Sequence, residues 1–111
     1  MTGVSSHILD TARGRPAADV PVILDTWAND AWRRLGGSVT DADGRVTDLP
    51  GPGVDQPVTC RLIFAVRNYL ATHYGTAFFP EVTVVFVATP GEHYHVPLLL
   101  TPFSYSVYRG S

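Results

Sequence analysis

The chain has 111 residues, 45% of them apolar, and a formal charge of −2; one domain spanning residues 1–111 is the expectation at that size. All eight basic residues are arginines, without the clustered positive charge of a nucleic-acid binder, and no apolar run is long enough to span a membrane as a helix. Cys60, the only cysteine, excludes an internal disulfide and a cysteine-based zinc site.

The segment Met1 to Asp10 lacks a basic stretch followed by an apolar core, so no secretory signal is read and the cytoplasm is the expected compartment. A mean hydropathy of +0.08 is high for a small soluble monomer and is consistent with apolar surface buried between subunits.

Glycine and proline punctuate the chain at short intervals, as in an all-β domain. The first expected strand is Ser5 to Thr11, followed by a turn at Arg13-Gly14-Arg15-Pro16. Val20 to Trp27 is β-rich, with Val20, Val22 and Leu24 on one face and Ile23 and Trp27 on the other. Asn29-Asp30 suits a tight hairpin, Ala31 to Thr40 returns as a strand, and Arg33-Arg34 reads as solvated. Asp41-Ala42-Asp43-Gly44 is a turn signal, with Gly44 able to take positive φ. Leu49 to Gln56 reads as loop.

Val58 to Phe64 resumes strand character and would bury the Cys60 thiol. In Ala65 to Tyr74 the three-and-four spacing of Val66, Tyr69, Leu70 and His73 predicts one short helix that Gly75 stops. Val82 to Ala88 is apolar on both faces, which predicts a central strand. Pro90-Gly91 turns the chain into His93 to Leu100 and Ser104 to Gly110, a C-terminal hairpin. Seven or eight short strands and one helix make a two-sheet sandwich.

Four histidines are available: His7, His73, His93 and His95. His93 and His95 share a face if their segment is a strand. They fit a polar strand surface over inward Tyr94, Val96, Leu98 and Leu100, an acid–base pair, or a metal site completed by His7 or an acid; pattern leaves all three open. His73 lies near the helix C-terminus, where an imidazolium is favoured. Asp10, Asp25 and Glu81 could each orient a histidine, and Arg45 reads as exposed after its turn. Tyr105 to Ser111 carries aromatic, hydroxyl and guanidinium groups to the last residue, as expected of an end that is tied down.

Four stretches together form a recognisable set. They are His7-Ile8-Leu9-Asp10 with Gly14-Arg15-Pro16-Ala17; Thr40-Asp41 with Asp43-Gly44-Arg45; Phe79-Pro80-Glu81 with Glu92-His93-Tyr94-His95-Val96-Pro97-Leu98-Leu99-Leu100; and Tyr108-Arg109-Gly110-Ser111. The chain closely resembles the transthyretin-related family of 5-hydroxyisourate hydrolases, from Ser6 to Ser111. Val107 stands where that family usually has threonine, and Thr101 where it usually has serine. Val58-Thr59-Cys60 replaces a common glycine-any-tyrosine step.

The resemblance implies an all-β, transthyretin-like sandwich of about eight strands in two sheets, with one short helix. It implies a homotetramer with its sites in a channel where two dimers meet. His7, Arg45 and His95 match the family's catalytic residues and Ser111 its pocket-lining terminal serine; Tyr108, Arg109 and Gly110 match the rest of the tail signature. The implied reaction is hydrolysis of 5-hydroxyisourate to 2-oxo-4-hydroxy-4-carboxy-5-ureidoimidazoline in urate degradation, with a small-molecule substrate and no cofactor or metal.

That chemistry needs a nucleophilic water, a stabilised carbonyl oxygen and a proton for the departing ring nitrogen. Imidazoles supply the first and third near neutral pH, and arginine holds electron-rich carbonyls with parallel donors. His7 and His95 are assigned to proton transfer, with the choice of base open; Arg45 clamps substrate, Ser111 positions it, and Tyr108 and Arg109 lock the tail. The competing readings are a non-catalytic carrier, as in the hormone-carrying transthyretins, and a purely structural sandwich; neither accounts for the terminal signature.

Overall fold

Residues 3–111 are described by a computed structural model; Met1 and Thr2, which begin the expected domain and the segment read for a leader, lie outside the described residues. The elements run β1 (Gly3–Asp10), β2 (Arg15–Pro16), β3 (Pro21–Ala28), β4 (Ala31–Val39), β5 (Arg45–Leu49), β6 (Val58–Phe64), α1 (Arg67–Tyr74), β7 (Val82–Ala88), β8 (His93–Leu100) and β9 (Tyr105–Val107). They form two sheets, one ordered β2-β1-β8-β9 with β5 also on β1, the other β4-β3-β6-β7.

Period-two alternation places the core between the sheets. Val4 and Ile8 of β1, Val22 and Leu24 of β3, Leu62 and Phe64 of β6, and Tyr94, Val96, Leu98 and Leu100 of β8 are all buried. Asn29 and Asp30 take φ of 52° and 61°, and Ala28 pairs with Ala31 around them, as a two-residue hairpin with right-handed strand twist requires. Buried Asp25 accepts from Arg61 Nε at 2.8 Å and Arg34 Nε at 3.4 Å, tying β3 to both of its neighbours.

Three expectations are corrected. Arg15 and Pro16 leave the Arg13–Pro16 turn to pair with Asp10 and Leu9 as β2. β5 follows the Gly44 turn at once and takes in Leu49, read as the start of a loop but buried and paired with Val4; its short mixed sequence carries little strand signal. Val82–Ala88 is an edge strand: β6 is its only strand partner among the described residues. Its second apolar face is not covered by the described residues, and Val85 and Val87 are each 58% exposed.

Helix α1 begins after Val66, whose side chain is fully buried, and ends at Gly75, whose N–H donates to the Ala71 carbonyl at 2.9 Å. Asp10, at the end of β1, fastens it. Its carboxylate accepts from Tyr69 Oη at 2.7 Å, from Tyr74 Oη at 2.6 Å, and from the N–H groups of Ala12 and Arg13. Burial alone would raise the Asp10 pKa; the hydrogen bonds from Tyr74, Tyr69, Arg13 and Ala12 outweigh it and hold the group below its ordinary value.

A carboxylate whose pKa is lower in the folded than in the unfolded chain stabilises the fold above about pH 4, and that contribution is lost as pH falls through the folded value. Tyr74→Phe should therefore cost about 1–2 kcal/mol at neutral pH, with the deficit narrowing in acid. Urea unfolding across pH measures it; a deficit constant down to acid denaturation would contradict the assignment.

Candidate functional site

The chemistry lies on the outer face of the β1-containing sheet. Alternation along β1 turns Val4, Ser6, Ile8 and Asp10 inward, all of them buried, and leaves Gly3, Ser5 and His7 on the opposite face. Strand β8 runs parallel to β1 and sets His93 beside Gly3 and His95 beside Ser5. Strand β5 runs antiparallel on the other side and sets Arg45 beside His7. On the β8 side, residues ninety positions apart in sequence thus become lateral neighbours.

The Asp41–Arg45 turn delivers Arg45. Asp41 Oδ1 accepts from the N–H groups of Asp43 at 2.9 Å and Arg45 at 3.0 Å. Gly44 has φ of 74°, and a Cβ there would lie 2.5 Å from the Ile8 carbonyl oxygen, so only glycine fits. The same turn presents the Asp43 carbonyl, to which His7 Nε2–H donates at 2.9 Å. A carbonyl only accepts, so neutral His7 carries its proton on Nε2 and has Nδ1 as its basic nitrogen.

His95 is half-buried, and its Nδ1 lies 2.8 Å from Ser5 Oγ. Burial, then the positive charge of Arg45, His7 and His93, holds its pKa below the ordinary histidine value. Its imidazole is therefore neutral at neutral pH, with a basic nitrogen to offer.

The chain end returns to the same residue. Gly110 N–H donates to the His95 carbonyl at 2.7 Å in a single β-bridge. A Cβ on Gly110 would stand 2.7 Å from His95 Cδ2, so backbone and imidazole are in contact only because the residue is glycine. Exposed Ser111 follows directly. Arg109 fastens this end: its Nη2 donates to Glu92 Oε1 at 3.1 Å and its guanidinium lies over the Tyr94 ring at 4.6 Å.

The structure thus gathers His7, Arg45, His95 and Gly110, adds Ser5 and His93, and leaves Ser111 exposed after Gly110. Tyr108 and Arg109 line a separate cavity of about 320 Å³ with Val84, Phe86, Val87, Tyr94, Val96 and Val107. Tyr108 is 54% exposed, and the polar contacts of the tail are made by Arg109 and Gly110. Strand β9 covers only Tyr105–Val107; beyond it, the strand expected to run on to Gly110 is replaced by one bridge.

His73 stands in the last turn of α1 with its ring centroid 4.3 Å from that of Tyr69. The three candidate orienting acids bond elsewhere: Asp10 to tyrosines, Asp25 to arginines, Glu81 to Thr83 Oγ1. Among the described residues no group of three His, Cys, Asp or Glu side chains is arranged to hold a metal. A larger cleft, about 540 Å³, lies beside Arg13, Arg15, Asp19 and His73, but it holds none of the β1 and β8 histidines. Ser5 escaped the sequence reading, although it stands two residues before His7 and so shares its face.

The profile of the HIUase/Transthyretin family matches residues 4–110. The chain is 41% identical over 109 residues to the 5-hydroxyisourate hydrolase of Salmonella dublin, covering 97% of this chain and 80% of that protein. Its fold is similar to that of Klebsiella pneumoniae 5-hydroxyisourate hydrolase, with a TM-score of 0.84, 29% identity and complete coverage of both chains. It is also similar to sea bream transthyretin in complex with thyroxine, with a TM-score of 0.87, 31% identity, and coverage of 96% and 93%.

Proposed function

The chain belongs to the HIUase/transthyretin family, and on that premise we propose that it is a hydrolase opening the six-membered ring of 5-hydroxyisourate. The sandwich alone does not choose between hydrolase and carrier, since solved examples of both match it about equally well. The observation that supports hydrolysis is the convergence of His7, Arg45 and the low-pKa His95 on one sheet face.

In the proposed reaction His95 accepts a proton from water at Nε2 as the water oxygen bonds to the ring carbonyl carbon. Arg45 donates to the carbonyl oxygen as it gains charge. The carbon–nitrogen bond then breaks as the proton that His95 took from water reaches the departing nitrogen by way of His7 Nδ1, and the new carboxylic acid ionises, leaving a carboxylate and a ureido group. Ser111 positions water or substrate beside His95. None of these steps calls on a metal or cofactor. Incubation in heavy-oxygen water should place the label in the new carboxylate faster than spontaneous opening does, before and after chelation of metals. Tight thyroxine binding without accelerated label uptake would instead favour the carrier.

The same reading makes the protein a homotetramer with the site faces meeting between two dimers. The site face is open in a single chain, with Arg45 and Ser111 exposed, and hydrolytic sites gain strength from excluding bulk water. Exposed apolar side chains support assembly: Val85 and Val87 on the β7 edge, and the Phe78–Phe103 pair, at 65% and 66% exposure. Light scattering should give four times the 12.0 kDa chain mass. A fully active monomer at micromolar concentration would contradict the assembly.

A further inference from the structure

Ser5 is nearly buried under two imidazoles. Its Oγ lies 2.8 Å from His95 Nδ1 and 3.0 Å from His93 Nε2, and its relative exposure is 8%. The parallel β1–β8 register creates the contact, because Ser5 is the direct partner of His95 and His93 lies two residues back on the same face. His93 is held over Gly3, where a Cβ would come within 2.9 Å of His93 Nδ1. Three groups are therefore fixed in one row by backbone pairing and by the absence of a side chain at Gly3.

A hydroxyl has one proton and cannot donate to both nitrogens. If it donates to His95 Nδ1, the proton of neutral His95 sits on Nε2, and the nitrogen facing away from Ser5 cannot act as a base. If it accepts from His95 Nδ1–H and donates to His93 Nε2, then His95 Nε2 is the basic nitrogen. Only the second arrangement survives protonation of His95, because imidazolium also donates from Nδ1. The Ser5 contact then stays unchanged while the proton arrives and leaves, and nothing needs to reorganise.

We propose that Ser5 and His93 are positioning residues for the hydrolytic reaction: Ser5 Oγ accepts from His95 Nδ1–H and donates to His93 Nε2, fixing His95 in the tautomer with its base at Nε2. The inference rests on the hydrolase reading for its kinetic consequence, but the tautomer itself does not. It gives His93 a role that separates it from a plain surface histidine. The other charged groups around His95 are His7 on β1 and Arg45 on β5, and neither is bonded to its Nδ1 in the way Ser5 is.

The test compares the wild type with Ser5→Ala, Ser5→Thr and His93→Ala as whole folded proteins, by steady-state kinetics on 5-hydroxyisourate and by nitrogen NMR of labelled histidines. In the wild type the spectrum should show neutral His95 protonated at Nδ1. Ser5→Ala should mix the two tautomers and lower kcat about tenfold with little change in KM, the scale of one lost hydrogen bond. Ser5→Thr keeps the hydroxyl and should restore both. His93→Ala should shift the tautomer balance in the same direction to a smaller extent. A Ser5→Ala protein with wild-type kcat and a His95 still protonated only at Nδ1 overturns the proposal. If the wild type does not accelerate ring opening, the hydrolase reading fails, and the Ser5→Ala spectrum still decides the positioning role.

Discussion

His95→Ala should slow turnover of 5-hydroxyisourate by roughly 10²–10⁴-fold, the usual scale for a positioned acid or base, while the sandwich remains folded. His95 projects from the outer face of β8, and the core on that strand is made by its inward neighbours Tyr94, Val96, Leu98 and Leu100. The substitution removes the imidazole but leaves the backbone carbonyl that accepts from Gly110 N–H, so the tail retains its anchor. His7→Ala should fall in the same range, because it removes the second proton carrier and the bond to the Asp43 carbonyl without touching Val4 or Ile8. His73→Ala is the control: its ring lies on Tyr69 at the end of α1 and should leave the rate nearly unchanged. Near-normal rates for both the His7 and His95 variants, measured on protein of matched thermal stability, would remove the acid–base pair.

Deleting Tyr108 to Ser111 should abolish activity and leave the fold intact. The deletion removes the Gly110 bridge to His95, the Arg109–Glu92 pair, the Arg109 contact with Tyr94, and the Ser111 hydroxyl. It spares β9, whose Tyr105, Ser106 and Val107 still pair with Leu100, Leu99 and Leu98. The lost ion pair is exposed on both sides, at 60% and 49%, and exposed pairs contribute about 0–1 kcal/mol, so the stability loss should be small beside the activity loss. A tag appended after Ser111 should also impair turnover by crowding the site, and one before Met1 should be milder. Oligomeric state must be matched in each comparison by light scattering. A deletion variant that assembles as the wild type does and works at full rate would show that the tail has no part in the reaction.

Much of this architecture is legible in the sequence because local chemistry and tertiary packing agree. Val58–Phe64 and Val82–Ala88 are strands with the bounds that their β-rich runs indicate, and Gly75 ends α1 where the apolar spacing runs out. Asn29-Asp30 and Asp41–Gly44 turn the chain as their composition requires. The misses arise where partners decide the outcome. Nothing local distinguishes an apolar strand covered on both faces by its own chain from one like β7, whose outer face stays open. Arg15 and Pro16 become β2 only because the end of β1 lies beside them.

For the site, alternation alone puts His93 and His95 on one face. Bringing His7 and Arg45 to them depends on the β1–β8 and β1–β5 pairings, which no local signal encodes. The resemblance supplied those residues without their geometry. It could not show that Ser5 bridges two imidazoles, or that Arg109 pairs with Glu92 beside the chain end.

Whether this chain accelerates the hydrolytic opening of 5-hydroxyisourate with side chains of one sheet face is read from the absorbance of freshly generated 5-hydroxyisourate with and without the protein, corrected for spontaneous decay. The expected result is a decay rate that rises in proportion to enzyme concentration with the wild type and falls by at least about a hundredfold with His95→Ala. Decay at the spontaneous rate in the presence of folded wild-type protein would contradict the claim.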